Sequence, residues 1–94
     1  MTKDYIYIMT NKNNTVLYVG VTSNLQQRVL QHRNGDFGGF TAKYKIHKVI
    51  YVEEHSDIRN AIEREKQIKS WSRKRKEELI ASQKPDWMEL MPID

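Results

Sequence analysis

The chain has 94 residues, enough for one domain that buries about 60–65% of its unfolded surface on folding. It has no cysteine, which excludes disulfides and thiolate metal sites, and its net charge is +4 with a pI near 9.4. The N-terminal MTKDYIYIMT lacks the apolar core of a signal peptide, and no apolar run approaches the ~18 residues of a membrane span. A cytoplasmic protein with no membrane association is therefore expected, most simply a monomer.

DYIYIMTN, from Asp4, alternates aromatic and aliphatic residues and reads as a strand. NKNN is a polar turn cluster, and TVLYVGV a second strand, so the two form an antiparallel hairpin. A four-residue loop, Asn11–Asn14, would set Tyr7 opposite Tyr18; a two-residue loop, Asn13-Asn14, would set it opposite Gly20. In both registers Tyr7 and Tyr18 share a face, because side chains alternate with period two. Gly20 then leaves space beside them.

SNLQQRVLQHRNG is a helix capped by Ser23 or Asn24 and ended by Gly35. Leu25 and Val29 form its buried stripe, with Arg28 and His32 on the edge of the same side. DFGGF reads as a flexible loop and TAKYK as a short helical turn. HKVIYVEE is the third strand, with Val49 to Val52 as its apolar centre. The longest helix runs from a cap at Ser56 or Asp57 to about Ser70. With Ile58 at 0°, Ala61 falls at about 300°, Ile62 at about 40° and Ile68 at about 280°, while Glu65 falls at about 340°, inside that apolar stripe. An inward carboxylate costs several kcal/mol unless it is paired, hydrogen-bonded or metal-bound. A last helix, about Arg73–Ser82, contributes Leu79 and Ile80 and is stopped at Lys84-Pro85. The expected fold class is α+β: a three-stranded antiparallel sheet flanked by helices in the order ββ-α-β-α-α. One domain, residues 1–84, is followed by a short tail, 85–94, whose apolar residues can pack back.

The basic charge is concentrated. Residues 59–76 carry eight Lys/Arg against two Asp/Glu, whereas residues 77–94 carry one against five. Such a block suits a nucleic-acid backbone and equally suits a solvated helix face.

Five residues from distant parts of the chain can gather. Tyr7 and Tyr18 come from the hairpin, Arg28 and His32 from the first helix, and Glu65 from the long helix. These types suit phosphodiester cleavage. A carboxylate can hold a Mg²⁺ that keeps most of its waters, an arginine fork stabilises the charge of a phosphate, and tyrosine or histidine can relay a water's proton. Singly, each has an ordinary explanation: aromatic packing for the tyrosines, a surface position for Arg28, helix C-terminal capping for His32, an ion pair with Arg28 for Glu65.

YIY at 5–7, YVG at 18–20, NLQQRVLQH at 24–32 and AIEREKQIK at 61–69, in that order and spacing, resemble the GIY-YIG endonuclease superfamily. Within it the chain looks most like the small stand-alone YhbQ-like bacterial proteins of uncharacterised protein family 0213. QHRNGDFGGFTAKYK and KQIKSWSRKRKEELI also resemble the catalytic subunit of structure-specific junction nucleases. The resemblance implies a three-stranded antiparallel sheet with flanking helices and DNA cleavage that depends on one divalent ion, Mg²⁺ or Mn²⁺. It puts the two family tyrosines on Tyr7 and Tyr18, without deciding which acts on water, the arginine on Arg28, a histidine on His32 and the metal-binding glutamate on Glu65. The chain departs from the pattern at Tyr5, where the first motif has glycine, and at Val21, where repair-nuclease members carry lysine. Lys43 or Lys12 can supply the phosphate contact that Val21 lacks.

The expected activity is thus that of a DNA endonuclease of repair or recombination type. Lys43, Lys66, Lys69, Arg73, Lys74, Arg75 and Lys76 would line the nucleic acid, and Trp71 would stack on a base or pack between the last two helices. The alternatives are a nucleic-acid-binding accessory module with weak or lost chemistry, and a protein-interaction domain that docks through the acidic tail, Asp86–Asp94, or through exposed aromatics.

Overall fold

The computed structural model describes residues 3–91. Its sheet contains β1 (Asp4–Thr10), β2 (Leu17–Thr22) and β3 (Lys48–His55), in the order β2-β1-β3 with both pairs antiparallel. Between β2 and β3 lie α1 (Leu25–Asn34) and the short α2 (Gly39–Lys43); α3 (Ile58–Lys69) and α4 (Arg73–Gln83) follow β3. This is the α+β arrangement that the sequence predicts.

The central strand alternates between two cores. Ile6 and Ile8 join Val19, Ile50, Tyr51, Ala61, Ile68 and Ile80 on the face covered by α3 and α4. Tyr7 and Met9 join Val29, Ile46 and Val49 on the face covered by α1. Both sides of β1 are therefore shielded, and residues 6–9 have no exposed surface. Each buried aliphatic side chain contributes about 1.5–3 kcal/mol.

A β-bulge interrupts the β1–β3 register between Ile8 and Met9, where Ile8 faces Tyr51 and Met9 faces Val49. The unpaired Ile50 therefore shares a face with Tyr51. The apolar run VIYV serves both cores in this way.

Caps fix the helix starts. The Asn24 carboxamide accepts from Gln27 N at 3.1 Å, Asp57 accepts from Arg59 N at 2.8 Å, and the Ser72 hydroxyl accepts from Arg75 N at 3.3 Å. Gly35, at φ 74°, ends α1 in the left-handed conformation.

Helix α3 departs from the apolar stripe predicted for it. Ala61 and Ile68 are buried, but Ile58 and Ile62 remain 46% and 38% exposed. A three-stranded sheet covers only a narrow arc of the helix, so the buried stripe is centred away from Ile58.

The tail folds back. Trp87 packs against the α3/α4 core, and Leu90 and Met91 against the α1 core. The outer edge of β3 is occupied: the Gln83 carboxamide donates to Val52 O at 2.8 Å and accepts from Val52 N at 3.1 Å. Farther along, Glu89 accepts from Val49 N at 2.8 Å and Leu90 N donates to Val49 O at 2.9 Å. Arg33 pairs with Glu89 at 3.2 Å and donates to the carbonyls of His47 and Met91. The start of the predicted N-terminal segment, Met1-Thr2, and the end of the predicted tail, residues 92–94, lie outside the described residues.

Candidate active site between the hairpin and two helices

The β1–β2 hairpin sets Tyr7 opposite Gly20, the register of the shorter loop considered from sequence. The turn itself spans Asn11–Val16, because β2 begins only at Leu17. Asn11 organises it by accepting from Thr15 N at 2.8 Å and Val16 N at 3.1 Å.

Gly20 has a steric role. A Cβ built there would stand 2.3 Å from both Cζ and Oη of Tyr7. The tyrosine ring therefore lies across the glycine, and its hydroxyl hydrogen-bonds His32 Nε2 at 3.0 Å. Tyr18, diagonal to Tyr7, has its ring centroid 6.3 Å from that of Tyr7 and 5.0 Å from the His32 imidazole, edge-on. Helix α1 delivers Arg28 one turn before His32, on the same side. Its guanidinium sits over Phe37 at 5.2 Å, and Phe37 packs on His32 at 4.7 Å.

Phe37 is a member of the cluster that sequence reasoning missed. It belongs to a loop without periodicity, and only the chain reversal at Gly35 brings it back over the end of α1. Arg28 stacked on an aromatic ring is also different from the Arg28–Glu65 ion pair considered above.

Burial pushes the Tyr7 phenol up to about 12, with Tyr18 and Glu65 adding to the rise and Arg28 opposing it. Burial, helped by the Arg28 charge, also lowers the His32 imidazole to about 4. Both groups are neutral at physiological pH. A neutral phenol beside a neutral imidazole forms a hydrogen-bonded pair: if Tyr7 donates to Nε2, Nδ1 carries the ring proton. Nδ1 is buried and has no hydrogen-bond partner among the described residues.

Glu65 comes from α3, on the other side of the sheet, close enough to influence Tyr7. Its side chain is only 15% exposed and pairs with Lys69 at 3.4 Å. The inward carboxylate expected from the helical angle is thus present, with Lys69 rather than Arg28 as its ion partner. Among the described residues, no group of three or more His, Cys, Asp or Glu could form a metal cage. A single sheltered carboxylate still suits Mg²⁺ or Mn²⁺, since Mg²⁺ keeps several waters and commonly uses one carboxylate plus substrate phosphate. The donor set therefore fits such an ion.

The remaining basic residues are dispersed. Lys66 lines a surface hollow with His55, Asn60, Glu63, Arg64 and Gln67. Arg73 donates to the carbonyls of Asn14 at 2.6 Å and Thr15 at 2.7 Å, fastening α4 to the hairpin turn, and pairs with Glu77 at 3.1 Å. Arg75 and Arg64 lie over the Trp71 ring at 4.2 and 5.2 Å, so Trp71 is packed between α3 and α4. Lys74 is exposed on α4, Lys76 is partly buried there, and Lys43 stands over Tyr44 at 5.4 Å. Tyr5, the departure from the first motif, lines a separate hollow with Ser23–Gln26 and Met91.

Residues 3–78 match the GIY-YIG catalytic domain family, a nuclease-type domain that acts on nucleic acid. The chain is 35% identical to a UPF0213 protein of Syntrophus aciditrophicus, covering 94% of this chain and all of that one. It is 37% identical to a UPF0213 protein of Clostridium perfringens, covering 84% of each. The solution structure of the UPF0213 protein BH0048 from Bacillus halodurans has the same fold, with a TM-score of 0.57 at 23% identity, over 86% of this chain and 85% of that one. No helix of the described residues is long and apolar enough to cross a membrane. The tyrosine pair, the α1 arginine and histidine and the α3 glutamate thus sit in a chain that belongs to the GIY-YIG superfamily, as a member of the UPF0213 proteins.

Proposed function

We propose that the protein hydrolyses phosphodiester bonds of DNA in a reaction dependent on Mg²⁺ or Mn²⁺. The observation that carries this reading is the neutral Tyr7–His32 hydrogen bond with Arg28 one helical turn away. The Arg28 guanidinium offers a fork to the scissile phosphate and stabilises the charge it gains. The Tyr7 hydroxyl, buried and donating to His32 Nε2, holds the imidazole in one tautomer, and the half-buried Tyr18 beside it is the hydroxyl that an attacking water reaches. Tyr18 closes the cluster edge-on to His32 and holds the imidazole plane. Glu65 would hold the divalent ion, displacing Lys69 from its carboxylate. When bound, that ion supplies charge stabilisation at the phosphate and the leaving oxygen. The exposed cations of α3 and α4, Lys66, Lys69 and Lys74, would give the DNA backbone a salt-sensitive grip, with Lys43 apart from them on α2.

The test is cleavage of labelled duplex, single-stranded, flapped and four-way-junction DNA with Mg²⁺, Mn²⁺ or EDTA. Cutting that requires the metal and is lost in Glu65→Ala and Arg28→Ala supports the assignment. Binding that is equal with and without metal, with no cutting of any substrate, would leave an accessory nucleic-acid-binding module instead.

A further inference from the structure

The aromatic residues of the α1–α2 segment are not explained by the core. Phe37, Phe40 and Tyr44 are 46%, 52% and 39% exposed. Each has ring surface open to solvent, and Phe37 and Tyr44 each have a cation over the ring. Phe37 rests its inner side on His32, and Arg28 lies over its ring. Phe40 and Tyr44, one turn apart along the end of α2, form a tilted pair 4.8 Å between centroids, with the Lys43 ammonium over Tyr44. Between the two groups, Gly38 and Gly39 adopt φ of 58° and 50°, and a Cβ at either would meet nothing within 4 Å. The approach to the chain there is open. Three residues of chain span at most ~11 Å, so Phe40 lies within a few nucleotides' reach of Phe37 and the Tyr7–His32 pair.

We propose that Phe37 and the Phe40–Tyr44 pair form a stacking surface for unpaired bases of DNA. The substrate would then be single-stranded at or beside the cleaved bond. In a duplex each base face is covered by its neighbours, so exposed rings beside a catalytic cluster gain little from paired DNA. An unpaired base offers its π-face to the rings, while Arg28 and Lys43 take the adjoining phosphates. Stacking of this kind contributes strongly per base and tolerates sequence, whereas lysine contacts alone would give binding governed by salt. The direction of the strand toward Arg28 rests on the nuclease reading; the stacking surface does not.

The test is binding in EDTA, where chemistry is not involved. The intact protein is titrated into a short labelled single strand carrying 2-aminopurine, and into the matching duplex. Tighter binding of the single strand, with 2-aminopurine quenching, is expected. Phe40→Ala should weaken single-strand binding about 5- to 100-fold and leave duplex binding unchanged. Phe40→Leu, apolar but not aromatic, should behave like the alanine variant, and an unchanged unfolding midpoint in both shows that the fold is intact. Equal affinity for both DNAs, or no effect of Phe40→Ala, overturns the proposal, as does a patch that captures protein but not DNA. Adding Mg²⁺ separates the two readings. Selective single-strand binding without cutting keeps the stacking surface and removes the nuclease. Equal cutting of duplex and single strand, unaffected by Phe40→Ala, does the reverse.

Discussion

Replacing Gly20 by alanine puts a methyl group where the Tyr7 ring now lies. In a strand with nothing above it, the change would stabilise the chain by about 0.5–1 kcal/mol through backbone entropy. Here the new Cβ would stand 2.3 Å from Cζ and Oη and 2.8 Å from Cε1 of Tyr7. Carbon atoms in good contact are about 3.5–4.0 Å apart, so the ring must move by more than an ångström. It has nowhere to go, being fully buried between Tyr18, His32 and the α1 core. Overpacking of this kind costs about 1–3 kcal/mol, and losing the Tyr7–His32 hydrogen bond adds about 1–3 kcal/mol. A destabilisation of about 3 kcal/mol lowers Tm by about 12–24 °C in a domain this small. Urea unfolding followed by circular dichroism measures it directly. The double variant Gly20→Ala/Tyr7→Leu should be more stable than the sum of its parts by about 1–3 kcal/mol, since leucine vacates the contested space. A Gly20→Ala protein as stable as the parent, or single costs that simply add, would refute the steric account of the Tyr7–Gly20 pairing.

Tyr7→Phe keeps the ring over Gly20 and deletes only the hydroxyl that fixes His32; it should cost about 1–3 kcal/mol and, by loosening the cluster, lower DNA cleavage about 100-fold in single-turnover assays. His32 titrates near 4 in the folded chain, below its ordinary 6.5, so the unfolded chain binds more protons between those values. Its contribution is therefore intact above pH 6.5 and falls by up to about 3 kcal/mol as the pH drops toward 4; an imidazole resonance already protonated at pH 6 would contradict this. Glu89→Ala strips the acceptor from the Val49 amide and the partner from Arg33, and should speed exchange of that amide and cost about 1–3 kcal/mol. Truncation after Lys84 should leave a domain that still unfolds cooperatively, at a lower urea midpoint, because Trp87 and Leu90 are lost from the two cores.

Much of the site was legible because strand and helix periods are rigid. Period two, given a hairpin loop of even length, put Tyr7 and Tyr18 on one face, and the 100° step of α3 picked out Glu65 as an inward carboxylate. The same step misjudged Ile58 and Ile62, since angle gives the relative positions of residues on a helix but not which arc a small sheet will cover. The bulge at Ile50 was signalled only indirectly, by four consecutive apolar residues that break strict alternation. Phe37 left no local signal: its contacts with Arg28 and His32 depend on how the chain leaves Gly35, a matter of loop path rather than pattern. Arg73 looked like one cation in a basic block, and its binding to the Asn14 and Thr15 carbonyls is likewise a contact between distant segments.

The two cores of the sheet share no side chain. Tyr7 and His32 belong to the α1 side, whereas Glu65 is held by the helix anchored through Ala61 and Ile68. Opening of α3 alone would withdraw the carboxylate and leave the tyrosine–histidine contact standing. The two sides can therefore respond separately: a cavity at Ile68, such as Ile68→Ala, weakens the anchor of Glu65 and spares the Tyr7–His32 side. By the same division, changes confined to α3 could remove the carboxylate from a descendant of this chain while its α1 side kept the Tyr7–His32 pair.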